Sequence, residues 1–200
     1  MAVRHLVWLG LALSISTAAH ARALMPLTMT AGEVAPPPDG FVRMCIDQPL
    51  LCTAANSSDE KAKPLTDRQL MRLAKKVNRR VNRQVRYQAD VKETWTRPEA
   101  SEQPVGDCED YAIEKRLELI DAGFPAASLH FAVGYIPEAG LHTVLLAEIG
   151  GRDVVLDNRT PWTMPWFKTS YIWVLRQSHN DPLIWHSTHG SSEIDIVANT

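Results

Sequence analysis

Cysteine is scarce, with Cys45, Cys52 and Cys108 the only three in 200 residues. So few exclude a disulfide-built scaffold and a zinc site made of cysteine alone. Basic charge is not in excess, since 21 Lys and Arg face 23 Asp and Glu for a net charge of −2. That balance excludes nucleic acid or an anionic membrane as the main partner. No apolar run reaches the roughly 18 residues of a membrane span. There is no internal repeat, and low complexity is confined to Pro36-Pro37-Pro38. What is present is a globular mixture, 45% hydrophobic and 22% charged, in a length that suits one domain.

The start of the chain reads as an address. Arg4 and His5 precede the apolar stretch Leu6 to Thr17, and Ala19-His20-Ala21 and Ala21-Arg22-Ala23 offer small-residue cleavage sites. This is the layout of a secretory signal peptide over residues 1–23. A buried first helix or an uncleaved anchor is the alternative. Export places the mature chain in the periplasm or outside the cell, where disulfides form and persist. Cys45 and Cys52 are near enough to close a small loop, which leaves Cys108 as a free thiol and candidate nucleophile. An inert buried thiol, or a pairing that engages Cys108, is the competing reading.

An extended, proline-rich leader is expected over residues 24–40 and a polar loop over 56–63. Thr66 then looks like an N-cap. Leu70, Leu73, Val77, Val81 and Val85 make one apolar stripe, so a helix is expected near 67–88, its basic side a solvated face. Residues 93–105 read as a loop. A second helix starts at Gly106-Asp107, buries Ala112, Ile113, Leu117 and Ile120, and stops at Gly123 and Pro125. Strands are expected at Leu129–Ile136, Leu141–Ile149, Arg152–Asn158 and Tyr171–Gln177, with Gly150-Gly151 as a two-residue hairpin turn. The fold class is therefore α+β.

The chemistry centres on Cys108, in the first turn of the second helix. Unpaired N–H groups give a helix N-terminus partial positive charge, which favours a thiolate and can hold an oxyanion. Asp107 and Glu109 oppose this, so an imidazolium or a bound cation has to offset them. His142 lies on the strand entering the Gly150-Gly151 turn. Pairing Ile149 with Arg152 sets Asp157 opposite Val144, so His142 and Asp157 are diagonal neighbours on one face. Asp157 can then orient His142 as the base for Cys108. Taken singly, each residue has a plainer reading: a strand histidine, a turn-starting acid, an N-cap at Asp107 closed by Asp110.

These residues resemble a known family. Gly106-Asp107-Cys108-Glu109-Asp110-Tyr111-Ala112, Gly123-Phe124-Pro125, His142-Thr143-Val144-Leu145 and Val155-Leu156-Asp157-Asn158 are similar to the bacterial transglutaminase-like cysteine proteinases of the LapG type. Trp95-Thr96-Arg97-Pro98-Glu99 and the segment Tyr171 to Ser178 match as well, so the resemblance runs from Phe41 to Trp185. It implies a peptidase domain at 41–185, with a papain-related core in which the nucleophile helix packs on an antiparallel sheet, and a C-terminal tail at 186–200. It implies a Cys108-His142-Asp157 triad and calcium beside the nucleophile on Asp107 and Glu109. Trp95 is placed at the cleft near Cys108, with plain burial as the alternative. The resemblance implies as partners a protein substrate in the cell envelope and a regulatory receptor in the inner membrane. The compact chain and the Cys45–Cys52 pair look like the small, stand-alone, monomeric exported members.

The function expected is peptide-bond hydrolysis by an exported cysteine peptidase. Acyl transfer to an amine, or amide hydrolysis, would use the same triad, and a periplasmic binding module with an unused triad is the non-enzymatic alternative. His186 and His189 sit in a Ser-, Thr- and Gly-rich stretch and read as tail rather than metal pair. Trp162, Trp166, Trp173 and Trp185 read as core and cleft-wall residues. Asn78 and Asn82 face one side of the first helix with no chemical role of their own.

Overall fold

The structure, a computed structural model, describes residues 26–52 and 64–188. In chain order these form β1 (Val34–Ala35), α1 (Asp39–Asp47), α2 (Asp67–Gln84), β2 (Arg86–Tyr87), β3 (Val105–Gly106) and α3 (Cys108–Asp121). Strands β4 (Leu129–Ile136), β5 (Gly140–Glu148), β6 (Asp153–Leu156), β7 (Met164–Pro165), β8 (Ile172–Gln177) and β9 (Trp185–Ser187) follow. Short 3-10 turns occupy Pro49–Cys52, Ala126–Ser128 and Trp166–Lys168. The expected signal segment, the loop at 56–63 and His189 lie outside the described residues.

Seven strands make one antiparallel sheet in the order β1-β9-β8-β4-β5-β6-β7, and β2 and β3 form a small parallel pair. The fold is α+β. The two-residue turn behaves as its sequence requires: Gly150 and Gly151 both take positive φ, at 58° and 69°, a conformation that costs other residues 1–2 kcal/mol or so. Ile149 and Arg152 exchange backbone hydrogen bonds across it, and Glu148 pairs with Asp153 and Leu145 with Leu156.

Helix α2 starts at Thr66 in a capping box. Gln69 N–H donates to Thr66 Oγ1, and Thr66 N–H donates to Gln69 Oε1. Leu70, Ala74, Val77 and Val81 form its buried stripe, and Leu73 is half-buried beside it. The helix ends at Gln84 rather than near 88, because Arg86–Tyr87 pairs in parallel with Val105–Gly106. That pairing delivers the chain straight into α3.

Helix α3 is buried almost all round, including Glu109, Asp110, Lys115 and Arg116, so it carries no clear amphipathic stripe. It packs on α2 and β5. One sheet face joins these helices in the main core, with Phe131, Val133, Leu145, Ala147 and Leu156. The opposite face, with Ala132, Val144, Leu146, Val155 and Trp173, is covered by Met29 and the half-buried Trp166 and Tyr171. With both faces covered, β4 and β6 are buried along almost their whole length, including His130 and Asp153.

The leader is not free. Met29 N–H donates to Asp153 Oδ2 (2.7 Å), Leu27 accepts from Asp153 N–H, and Val34–Ala35 pairs with β9. Helix α1 begins inside the expected leader at Asp39, and His186 belongs to β9 rather than to a tail. Cys45 and Cys52 are joined as a disulfide, which leaves Cys108 free.

Candidate active site

Cys108 is the first residue of α3, after an N-cap at Asp107 in extended conformation. Asp107 N–H donates to Asp110 Oδ2 at 3.3 Å, and Asp110 Oδ1 also accepts from Thr96 N–H at 2.9 Å. Asp110 is thus a structural clamp between the cysteine helix and the preceding loop. Burial, the main cause, pushes its carboxyl up to about 7. Gly106 is required here, since a Cβ on it would sit 2.7 Å from the Asp110 side chain.

The sulfur contacts β5 directly: Thr143 N–H donates to Cys108 Sγ at 3.4 Å. The next residue back, His142, places Nε2 2.9 Å from Asp157 Oδ1. The hairpin therefore brings His142, on β5, and Asp157, just past the end of β6, together as its register predicts, and β5 itself reaches the sulfur through Thr143. With Nε2 on the acid, Nδ1 is the imidazole nitrogen left for the thiol.

Asp157 is 3% exposed and well held. It also accepts from Arg159 N–H at 2.9 Å and from the Tyr171 hydroxyl through a short hydrogen bond. Burial alone would raise its pKa, but the His142 hydrogen bond and charge, then Tyr171 and the Arg159 amide, outweigh burial and hold it below the usual carboxylate range. Tyr171 is held above the usual phenol range by burial and by this bond, and it meets the His142 ring edge-on at 5.6 Å.

Neither Tyr171 nor the two asparagines of α2 is identified as a site residue by the sequence. Asn82 Nδ2 donates to the carbonyls of Asp157 (2.7 Å) and Thr160 (2.9 Å), and Asn78 Nδ2 donates to Thr160 O at 3.1 Å. They pin the loop that leaves Asp157. Their i, i+4 spacing was the available signal; the acceptors some 80 residues away were not.

Two expectations are corrected. The thiol was expected to have a lowered pKa from the helix end, but burial raises it, and the Glu109 charge adds to that rise; the Thr143 amide opposes both only in part. Cys108 Sγ donates to Glu109 Oε2 at 3.1 Å. Burial and the adjacent acids thus set the direction of the shift. Trp95 was expected near the cleft, but it is 2% exposed and stacks edge-on with Phe41, Phe131 and Trp185 in the main core. Trp162, which is 67% exposed, does border a cleft. With Arg159, Lys168, Tyr171 and Asp157 it lines a depression of about 440 Å³.

Asp107 and Glu109 are both buried. Asp107 Oδ2 accepts from Asp90 N–H at 3.1 Å, while Asp107 Oδ1 and Glu109 Oε1 have no hydrogen-bond partner among the described residues. Burial and the neighbouring Asp107 carboxyl push Glu109 up.

A family model for the bacterial transglutaminase-like cysteine proteinases (BTLCP) matches residues 31–193. The chain belongs to this family. The match extends beyond Phe41 and Trp185 at both ends, in keeping with the ordered leader and with β9. Calcium-bound Legionella pneumophila LapG is a similar solved structure, 20% identical, covering 82% of this chain and 91% of that one with a TM-score of 0.49. The EGTA-treated form of the same protein is 20% identical over 61% of this chain and 69% of that one, also with a TM-score of 0.49. Among curated proteins none matches. Family membership makes this a transglutaminase-like cysteine proteinase fold, with its cysteine at the head of a helix and a histidine–acid pair on the adjoining hairpin.

Proposed function

We propose that this chain is an exported cysteine peptidase in which Cys108 is the nucleophile, His142 the general base and acid, and Asp157 the group that orients His142. The observation that carries this reading is the juxtaposition on β5: the amide of Thr143 touches the sulfur while the adjacent His142 is anchored to a buried aspartate.

The chemistry follows from the groups present. His142 Nδ1 takes the thiol proton, and the sulfur attacks the scissile carbonyl carbon. The oxyanion that forms lies near the N–H groups at the head of α3, Cys108's own among them. His142 returns the proton to the leaving amine, and a thioester to Cys108 remains. Water, deprotonated by His142, attacks the thioester, releases the carboxylic acid and regenerates the thiol. Asp157 stays ionised throughout, because three donors stabilise its charge.

Asp107 and Glu109 fit a hard cation such as calcium: two buried carboxylates, each with an unpartnered oxygen. Bound there, the ion would supply positive charge beside the sulfur and engage the Glu109 carboxylate, whose Oε2 accepts from the thiol. The Cys45–Cys52 disulfide and the signal-like start support a substrate met after export, a protein of the cell envelope.

The test is N-terminal labelling of an envelope protein fraction after incubation with purified protein. Wild type is expected to create new N-termini that the Cys108→Ala protein does not. Equal products from both would falsify the assignment, and products capped by an added primary amine instead of water would identify acyl transfer.

A further inference from the structure

A second cluster of ionisable side chains lies at the other end of the face that carries His142. Along β5, Glu148 is six residues beyond His142 and of the same parity, about 20 Å away at roughly 3.3 Å per residue. Glu148 is the direct cross-strand partner of Asp153 on β6, and His130 on β4 pairs with Leu146, two residues before Glu148. His179 reaches the same place from just beyond the end of β8.

One ligand atom from each of His130, Glu148 and His179 lies within 4.8 Å of the others. The two imidazoles face each other at 4.4 Å with a tilt of 32°. His179 Nδ1 is 3.7 Å from Glu148 Oε2, and His179 Nε2 is 3.9 Å from Asp153 Oδ1. These atoms are badly served by the protein. His130 is 3% exposed and Asp153 0%, yet His130 Nε2, His179 Nε2 and Asp153 Oδ1 are all buried without a hydrogen-bond partner among the described residues. Native structures leave few such atoms unsatisfied, and three in one cluster point to a ligand that satisfies them together.

We propose that His130, Glu148 and His179, with Asp153 beside them, form a binding site for a divalent transition metal of the zinc class. Two imidazoles and a carboxylate are a usual zinc donor set, and imidazole selects a borderline metal over calcium or magnesium. Each ring contributes one nitrogen to the cluster. Arg176 also faces it, with Nη1 donating to Met29 O, Nε to Gln177 O at 3.0 Å, and Arg116 more distantly. These cations offset the two carboxylates, which disfavours a hard ion held by charge alone. The site joins three parts of the fold: Asp153 Oδ2 holds Met29 of the N-terminal segment, His130 and Glu148 come from the central strands, and His179 comes from the β8–β9 turn. A bound ion would staple that turn and the N-terminal segment to the sheet.

The test uses the disulfide-bonded Cys108→Ala protein, which lacks a free thiol, in millimolar calcium to fill any carboxylate-only site. Zinc is titrated against a chromophoric chelator. One tightly bound equivalent and a raised melting temperature are expected. His179→Ala, at a half-buried position outside the strands, is expected to weaken that binding by at least about 100-fold, beyond the effect of losing an outer-shell partner. His186→Ala is expected to leave it unchanged. Cobalt in place of zinc is expected to give visible absorption that His179→Ala abolishes. No tight equivalent, or one that survives in His179→Ala, overturns the proposal.

Discussion

Replacing Asp157 by Asn tests the site through its best-defined hydrogen bonds. The carboxylate accepts from His142 Nε2 and Arg159 N–H on Oδ1 and from Tyr171 on Oδ2. Asn can keep its carbonyl on the His142 side, but its amide then meets the Tyr171 hydroxyl and the negative charge is gone. The His142 bond falls from charge-assisted, about 1.5–3 kcal/mol, to neutral, about 0.5–1.5 kcal/mol. The imidazolium that pairs with a Cys108 thiolate therefore loses on the order of 1–2 kcal/mol, or about 5- to 30-fold in population. Cys108 is the free cysteine, so iodoacetamide alkylation followed by intact mass reads this site alone. In calcium at neutral pH, Asp157→Asn is expected to alkylate about 5- to 30-fold more slowly than wild type. Tyr171→Phe, which keeps the charge, is expected to lose less. An Asp157→Asn protein that melts like wild type and alkylates within a factor of two of it refutes the reasoning.

Lys115 is 1% exposed on α3, and burial pushes its ammonium down to about 7, with Asp157 opposing. A base with a lowered folded pKa penalises the folded state below its unfolded pKa, so Lys115→Met is expected to stabilise by a few kcal/mol at and below neutral pH. That gain should fade as pH rises towards the unfolded lysine value, and urea melts across pH check both signs. The Cys45–Cys52 link closes a short loop, so Cys45→Ser with Cys52→Ser is expected to cost about 2.5 kcal/mol in a urea melt while leaving Cys108 alkylation unchanged. Chelating calcium is expected to lower the melting temperature and slow alkylation in wild type, and to do neither in Glu109→Gln, as calorimetry and intact mass would record.

The hairpin was legible because its information is local. Two glycines that accept positive φ set a two-residue turn, the turn sets the register, and the register sets His142 beside Asp157. The long helices were legible from the apolar spacing of α2 and from the cap and stop signals of α3. What stayed hidden depends on partners far along the chain. Tyr171, Asn78 and Asn82 carry no local mark of the Asp157 loop they hold. Strands β1, β2, β3, β7 and β9 are two or three residues long, too short for alternation to show. Trp95 sits in a segment that resembles the family's stretch upstream of the cysteine, but its ring fills the gap between Phe41, Phe131 and Trp185. The thiol environment was misjudged because the spacing of Asp107, Cys108 and Glu109 tells nothing of how deeply the sulfur and its neighbours are buried.

The central claim is that Cys108 and His142 act as one chemical unit. The most direct measurement is the alkylation rate of Cys108 at neutral pH in calcium, in wild type and in His142→Ala. A fall of at least about tenfold is expected in His142→Ala, as loss of a charge-assisted partner requires. Equal rates in two equally folded proteins would contradict it.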